Sequence, residues 1–263
     1  MEVAKLEIHA ENVLPIIKKW LYSDKEIFLR ELLSNSVDAI TKLKHVALTE
    51  SVPAPPPGID IRVDKDRGTL TISDTGIGMS AEEIRTYLGQ VAFSGAESFL
   101  ERYKLGQEGD FIIGHFGLGF YSAFMVAEKV EVVSKSYKAG EPAVRWISEG
   151  GLEYSLDGAE REETGTDVIL HLGKNETDYL EDVRVLHIVK KYCNFLPVPI
   201  RLAGRQINEQ SPLWTRMPTS LKDEDYLGFF HKAYPYEDDP LFWIHLNADY
   251  PFRLQGILYF PRF

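Results

Sequence analysis

The stretch Glu31-Leu-Leu-Ser-Asn-Ser-Val-Asp-Ala-Ile-Thr-Lys42 reads as the middle of a long helix with polar residues in an unusual place. Counting ~100° per residue from Glu31, Asn35 falls at about +40°, Asp38 at about −20° and Lys42 at about +20°. These four share one narrow face, while Leu29, Leu32, Leu33, Val37, Ile40 and Leu43 take the far side. A solvated face of an ordinary amphipathic helix would show the same division. Asn and Asp, however, are weak helix formers away from the ends, so this stripe costs helix stability without a local gain. Glu, Asn and Asp in one line are what a metal–phosphate site requires. One carboxylate can act as general base for water, an amide oxygen can ligate Mg²⁺, and a second carboxylate can order the waters around it.

Outward from that helix, Ala10 to Leu21 is helix-like, with Val13, Ile16, Ile17 and Trp20 at helical spacing. Asp24 is placed to cap the long helix, which runs from about Lys25 toward Thr49 until Pro53, Pro55, Pro56, Pro57 and Gly58 stop regular structure. Ile59 to Val63 and Thr69 to Ser73 alternate as a hairpin around Asp64-Lys-Asp-Arg-Gly68. The segment from Gly76 to Gly119 is glycine-rich, as expected of a loop-and-lid region. Val130–Ser134, Ala143–Ile147, Leu152–Leu156, Thr166–Leu172 and Val198–Leu202 read as strands, and Asp182–Phe195 as a helix.

Two further motifs carry chemistry. Asp74-Thr-Gly-Ile-Gly-Met79 follows directly on a strand. A carboxylate at a strand end can accept a hydrogen bond from an exocyclic amine such as adenine's, and the glycines let backbone approach a flat base. Ile113-Gly-His-Phe-Gly-Leu-Gly-Phe120 leads into the helix-like Tyr121–Val126, where unpaired N–H groups and the helix dipole favour phosphate. Neither a P-loop lysine nor a Rossmann strand accompanies it. Helix stripe, base-reading turn and phosphate loop, in that order, compose a nucleotide pocket.

The bulk composition narrows the class. The 263 residues are 44% hydrophobic and 26% charged, and no run nears the ~18 apolar residues of a membrane span. A net charge of −11 argues against a nucleic-acid backbone as partner, and no block of positive charge stands out. A single cysteine, Cys193, suits a reducing compartment, and the seven histidines lack metal-ligand spacing. The expectation is a cytoplasmic, non-membrane protein.

The order of motifs resembles the ATPase fold shared by DNA gyrase, sensor histidine kinases, mismatch-repair proteins and the heat-shock protein 90 chaperones. Within that group the resemblance is to heat-shock protein 90. It rests on Tyr22-Ser-Asp-Lys-Glu-Ile-Phe-Leu-Arg-Glu-Leu-Leu-Ser-Asn35, Asp74–Met79, Gly114-His-Phe-Gly-Leu-Gly-Phe-Tyr-Ser-Ala-Phe124, Pro212-Leu-Trp-Thr-Arg216 and Asp239-Pro-Leu-Phe-Trp243. The lack of a long charged stretch before Pro212 favours the bacterial HtpG type. The resemblance implies an α+β fold: a two-layer sandwich of a twisted, mainly antiparallel sheet covered on one face by helices. It implies an N-terminal ATP-binding domain over 1–207 and, over 208–263, a linker and the truncated start of a middle domain.

It also implies roles. Glu31 would activate the attacking water, Asn35 would ligate Mg²⁺, and Asp38 and Lys42 would line the pocket. Asp74 would take the adenine amine together with Thr166 through ordered water, with Gly78 and Met79 packing on the base. Gly117, Gly119 and Phe120 would lie along the phosphates, and Ser94 would stand where the lid over Gly89 to about Gly114 begins. The cofactors implied are ATP or ADP with Mg²⁺, and the partners are client proteins, co-chaperones and a second copy joined through a C-terminal domain. The transition-state arginine would lie beyond Phe263, so this stretch should bind ATP and turn it over poorly. Two positions depart from the family pattern: Phe93, where a basic residue is general, and Tyr87, where Asn or His is common. The rival readings are a DNA-handling ATPase, a histidine kinase and a domain that binds nucleotide without hydrolysing it. The first would require a basic transducer surface, the second a phospho-accepting histidine helix before Glu31, where only His9 stands. The presence of Glu31 speaks against the third.

Overall fold

Apolar residues on every second position of the central strands dictate a sheet with one dry face. The computed structural model describes residues 24–89, 118–151, 153–248 and 254–262. The helix-like segment 10–21 and most of the glycine-rich region, with Phe93, Ser94, Gly114 and Gly117, lie outside the described residues. The chain forms two compact units, residues 1–208 and 209–263.

In the first unit, α1 (Ile27–Glu50) precedes β1 (Ile59–Asp64) and β2 (Thr69–Asp74), which form the expected hairpin with Asp60 opposite Ser73. A short helix α2 (Ala81–Tyr87) and a 3₁₀ segment (Gly119–Met125) come before β3 (Ala127–Lys135), β4 (Val144–Ser148), β5 (Ser155–Gly158) and β6 (Gly165–Leu172). Helix α3 (Asp182–Tyr192), β7 (Ile200–Leu202) and β8 (Arg205–Gln206) complete the unit. The strands make one sheet in the order β5-β4-β3-β6-β2-β1-β7-β8. Its pairings are antiparallel except for β1 with β7. This is the α+β architecture expected from the sequence.

Ile59, Ile61, Leu70, Ile72, Val130, Val132, Val168, Leu170 and Ile200 bury one face of the sheet. Against it lie Phe28, Leu29, Leu32, Leu33, Val37 and Ile40 of α1 and Val185, Ile188 and Val189 of α3, in one continuous core. The intervening residues of the sheet, such as Arg62, Lys129 and Arg145, face outward, so the 2.0-residue period separates a dry face from a charged one. Buried Asn208 ties off the unit. Its Oδ1 accepts from Ile200 N at 2.8 Å, and its Nδ2 donates to Leu196 O and Val198 O at 3.1 and 2.9 Å.

Several local expectations shift. The long helix begins at Ile27, two residues after the expected start, because Asp24 Oδ1 accepts from Glu26 N at 3.0 Å and holds a turn ahead of it. The glycine-rich region contains α2, started by a reciprocal capping box in which Ser80 accepts from Glu83 N and Glu83 from Ser80 N. The segment after Gly119 is 3₁₀, and the Leu152–Leu156 strand forms instead at Ser155–Gly158, an exposed sheet edge. The β7–β8 turn places Ala203 at φ 48°, followed by Gly204 at φ 77°. A left-handed alanine is strained, so Ala203→Gly is expected to raise stability by roughly 0.5–1 kcal/mol, read as a higher urea midpoint at unchanged slope.

The second unit packs α4 (Asp223–Ala233) against the antiparallel pair β9 (Phe242–Ala248) and β10 (Leu254–Phe260). Tyr226 stacks on Trp243 at 5.3 Å and accepts or donates a hydrogen bond with His245 Nδ1 at 2.8 Å, and Tyr259 donates to Tyr226 O.

Candidate functional site

The polar stripe of α1 is not a solvated face: Asp38 is 5% exposed, and Glu31, Asn35 and Lys42 are half-buried. The Asp74–Met79 turn is bolted across it. Ile77 N donates to Ala39 O on α1 at 3.0 Å, and Tyr137 N, just past β3, donates to Ile77 O at 3.0 Å. Both glycines of the turn are sterically required. A Cβ on Gly76 would lie 2.5 Å from the Ala39 Cβ, and one on Gly78, at φ +62°, would lie 1.8 Å from the Lys135 carbonyl oxygen.

Asp74 ends β2 with its carboxyl turned into the protein. The residue is 4% exposed, and Oδ1 accepts from Gly76 N at 2.8 Å. Burial pushes its carboxyl up to about 7, against the downward pull of the Gly76 N–H, the Arg161 charge and the Ser36 hydroxyl. The register pairs Asp74 with Thr166 and Ser134 with Thr166. Ser134 Oγ and Thr166 Oγ1 lie 2.8 Å apart, and Ser134 Oγ also accepts from Met79 N at 2.9 Å. Met79 and Thr166, both singled out from the sequence, thus meet at the Ser134 hydroxyl, which the sequence reading passed over, with Asp74 opposite Thr166 in the strand register and Gly78 against the Lys135 carbonyl. Ser134 occupies an inward position of β3 as an isolated polar residue at the end of a Val-rich strand. That position was its signal.

The other end of the stripe meets the 3₁₀ segment. A Cβ at Gly119 would lie 2.6 Å from Glu31 Oε2, so only glycine lets this backbone pass the carboxylate. Glu31 Oε1 accepts from Arg30 Nε and Nη2 at 3.1 and 2.6 Å. The Phe120 ring packs edge-on against Tyr121 and Trp146, each at 5.6 Å, and so forms wall. Burial lowers the Lys42 ammonium, while the charges of Asp38 and Glu83 raise it. Tyr87 closes α2 half-buried, and burial raises its phenol. The site is therefore a trough along α1, with a buried carboxyl and two hydroxyls at one end and a carboxylate against glycine backbone at the other.

Residues 22–149 match the family model described as "Histidine kinase-, DNA gyrase B-, and HSP90-like ATPase". This places the α1–turn–3₁₀ constellation in an ATPase domain of that class. Residues 203–263 match the model "Hsp90 protein". The chain is 49% identical over its whole length to "Chaperone protein htpG" of Bacteroides fragilis (strain 638R), covering 40% of that protein. It is 44% identical, over 97% of the chain, to "Chaperone protein HtpG" of Porphyromonas gingivalis (strain ATCC BAA-308 / W83), covering 40% of it. It is 40% identical, over 98% of the chain and 37% of the relative, to "Heat shock protein 75 kDa, mitochondrial" of Bos taurus. The chain belongs to the heat-shock protein 90 family and is similar to its bacterial HtpG members, as the motifs implied. That membership sets aside the gyrase and mismatch-repair alternative. The chain spans about two fifths of the length of these curated relatives. No helix among the described residues is long and apolar enough to cross a membrane.

Proposed function

We propose that this chain binds ATP with Mg²⁺ in the α1 trough and hydrolyses it to drive the conformational cycle of a cytoplasmic chaperone acting on client proteins. The observation that supports this most directly is the buried Asp74 carboxyl. A carboxylate has about four acceptor positions, and among the described residues the Gly76 amide and the Ser36 hydroxyl address it. The exocyclic amine of adenine is a donor suited to the remainder, and the Ser134–Thr166 hydroxyl pair extends the polar edge. Gly76 and Gly78 let the turn press against Ala39 and the Lys135 carbonyl, which fixes the backbone from which Asp74 would meet the base.

At the other end of the trough, Glu31 would accept the proton of the attacking water and Asn35 would offer an amide oxygen to the metal. One protein ligand suits Mg²⁺, which keeps waters and takes substrate phosphates as its remaining ligands, where it neutralises developing charge. Asp38 and Lys42 would line the trough between metal and base. Gly119 would give phosphate oxygens an approach to backbone N–H groups, and Phe120 would back it, with Ser94 and Gly117 completing the lid side. Co-chaperones and a homodimer formed through a C-terminal domain complete the proposal.

Calorimetric titration tests the pocket. ADP is expected to bind and GDP not, and Asp74→Asn should weaken ADP about tenfold to a hundredfold, the ~1.5–3 kcal/mol of a charge-assisted hydrogen bond. Wild-type affinity in Asp74→Asn would remove the adenine assignment.

A further inference from the structure

Asp74 is also held from behind. The β5–β6 connection carries Arg161, whose side chain is only 15% exposed. Its Nη2 donates to the Asp74 carbonyl oxygen at 3.2 Å, its Nε donates to Glu163 O at 3.0 Å, and its Nη1 lies 2.5 Å from Asp167 Oδ2. Asp167 follows Thr166 on β6, so its side chain takes the opposite face of the sheet from the trough. The contact depends on Gly165, at φ +134°. A Cβ there would lie 2.1 Å from the Asp74 carbonyl oxygen and 2.8 Å from Arg161 Nη2. Glycine at 165 thus leaves room for the guanidinium at the carbonyl that ends β2.

We propose that Arg161 is a positioning residue for nucleotide recognition: it fixes the backbone of the base-reading aspartate and, with Asp167, sets the local charge against which that aspartate works. The proposal rests on the reading of Asp74 as the partner of the adenine amine. A guanidinium bound to three different acceptors is oriented in a way a lysine at the same place would not be. A backbone pinned at the carbonyl of Asp74 limits where its carboxyl can point.

The electrostatics make the proposal specific. Among the described residues, the charged groups acting on Asp74 from the β5–β6 side are Arg161, which favours the ionised carboxylate, and Asp167, which opposes it. From α1 it meets the Ser36 hydroxyl, with Asp38 and Lys42 as the charged residues farther along that helix, and from its own turn the Gly76 amide. The two members of one ion pair therefore act on the same carboxyl with opposite sign. A purely structural pair would not behave in that way, because losing either partner would do similar damage.

The experiment is ADP titration calorimetry on this chain from pH 5.5 to 8.5, for wild type, Arg161→Gln, Arg161→Lys, Asp167→Asn and Asp74→Asn. In the wild type, affinity should rise with pH through the titration of Asp74. Arg161→Gln should displace that midpoint upward and weaken ADP at pH 6.5 by about threefold to tenfold, equivalent to about half a unit to one unit. Asp167→Asn should displace it downward, and Arg161→Lys, which keeps the charge, should return the midpoint toward wild type. Displacements of Arg161→Gln and Asp167→Asn in the same direction, or none in either, overturn the proposal. If Arg161→Gln does not fold, Asp167→Asn decides beside Arg161→Lys: a lowered midpoint in the first with an unchanged one in the second supports it, and an unmoved Asp167→Asn overturns it. Asp74→Asn separates the two readings. It should abolish the pH dependence, and if it keeps the wild-type profile, the role of Asp74 itself is lost whatever Arg161 does.

Discussion

Glu31→Gln is expected to cut ATP turnover by about 10²–10⁴-fold while leaving ADP affinity within a fewfold of wild type. The amide keeps the shape of the side chain and loses only the ability to take a proton. The local geometry makes the comparison clean. One carboxylate oxygen is held by the Arg30 guanidinium and the other faces Gly119. Arg30 is 41% exposed, so this ion pair orients the carboxylate more than it stabilises the fold. The same geometry supplies an independent arm, since Gly119→Ala drives a methyl to within 2.6 Å of Oε2 and must push the carboxylate aside. Turnover should fall in that variant too, with the Asp74 end of the trough still binding adenosine. The measurement is single-turnover conversion of radiolabelled ATP over hours, which reads slow rates directly. Turnover that survives Glu31→Gln would place the base on another group and leave Glu31 a structural role beside the 3₁₀ segment.

The helix stripe was legible because Asn35 and Asp38 contradict helix propensity, and in the fold Asp38 is buried and Asn35 half-buried where a solvated face would expose them. The Asp74 turn was legible because two glycines two residues apart have few other uses, and both prove to be steric necessities. What the sequence hid shares one physical character. Ser36 lies about 140° around the helix from Glu31 and so falls off the stripe, yet its hydroxyl reaches Asp74. Ser134, Gly165 and Arg161 act through strand register, which joins residues far apart in the chain and leaves no local pattern. Helix α2 did leave a pattern, the Ser80-Ala-Glu-Glu83 box, but the density of neighbouring glycines outweighed it. Strand β5 is mostly exposed at the sheet edge, so apolar alternation could not fix its position.

Asp74 also sets an expected dependence of stability on pH. Its carboxyl is raised from an ordinary value of 3.8 to about 7 in the fold. The native state therefore binds this proton more tightly than the unfolded chain does. Between those two values the native state carries more protons, so this contribution to stability is full at low pH and is lost as pH rises toward 7. The shift corresponds to something on the order of 4 kcal/mol. Glu83 and Glu131 are lowered in the fold by partners that include Lys138 and by Lys129 and His171, and they act in the opposite sense at lower pH. The quantity to measure is accordingly the difference between wild type and Asp74→Asn in urea, at pH 5 and at pH 8, without nucleotide. The variant should gain on the wild type between those two conditions and be the more stable at pH 8, where the wild type holds a buried charge. Equal pH dependence in the two proteins would mean that Asp74 is solvated enough to ionise freely. Saturating ADP should narrow that gap at pH 8, because a base amine donating to the carboxylate favours its ionised form and adds ~2.7 kcal/mol to the wild type at a hundredfold excess over Kd, more than the weaker-binding variant gains. A carboxylate that weakens the empty fold, and whose deficit shrinks when the nucleotide binds, belongs to a binding site and not to the stability of the fold.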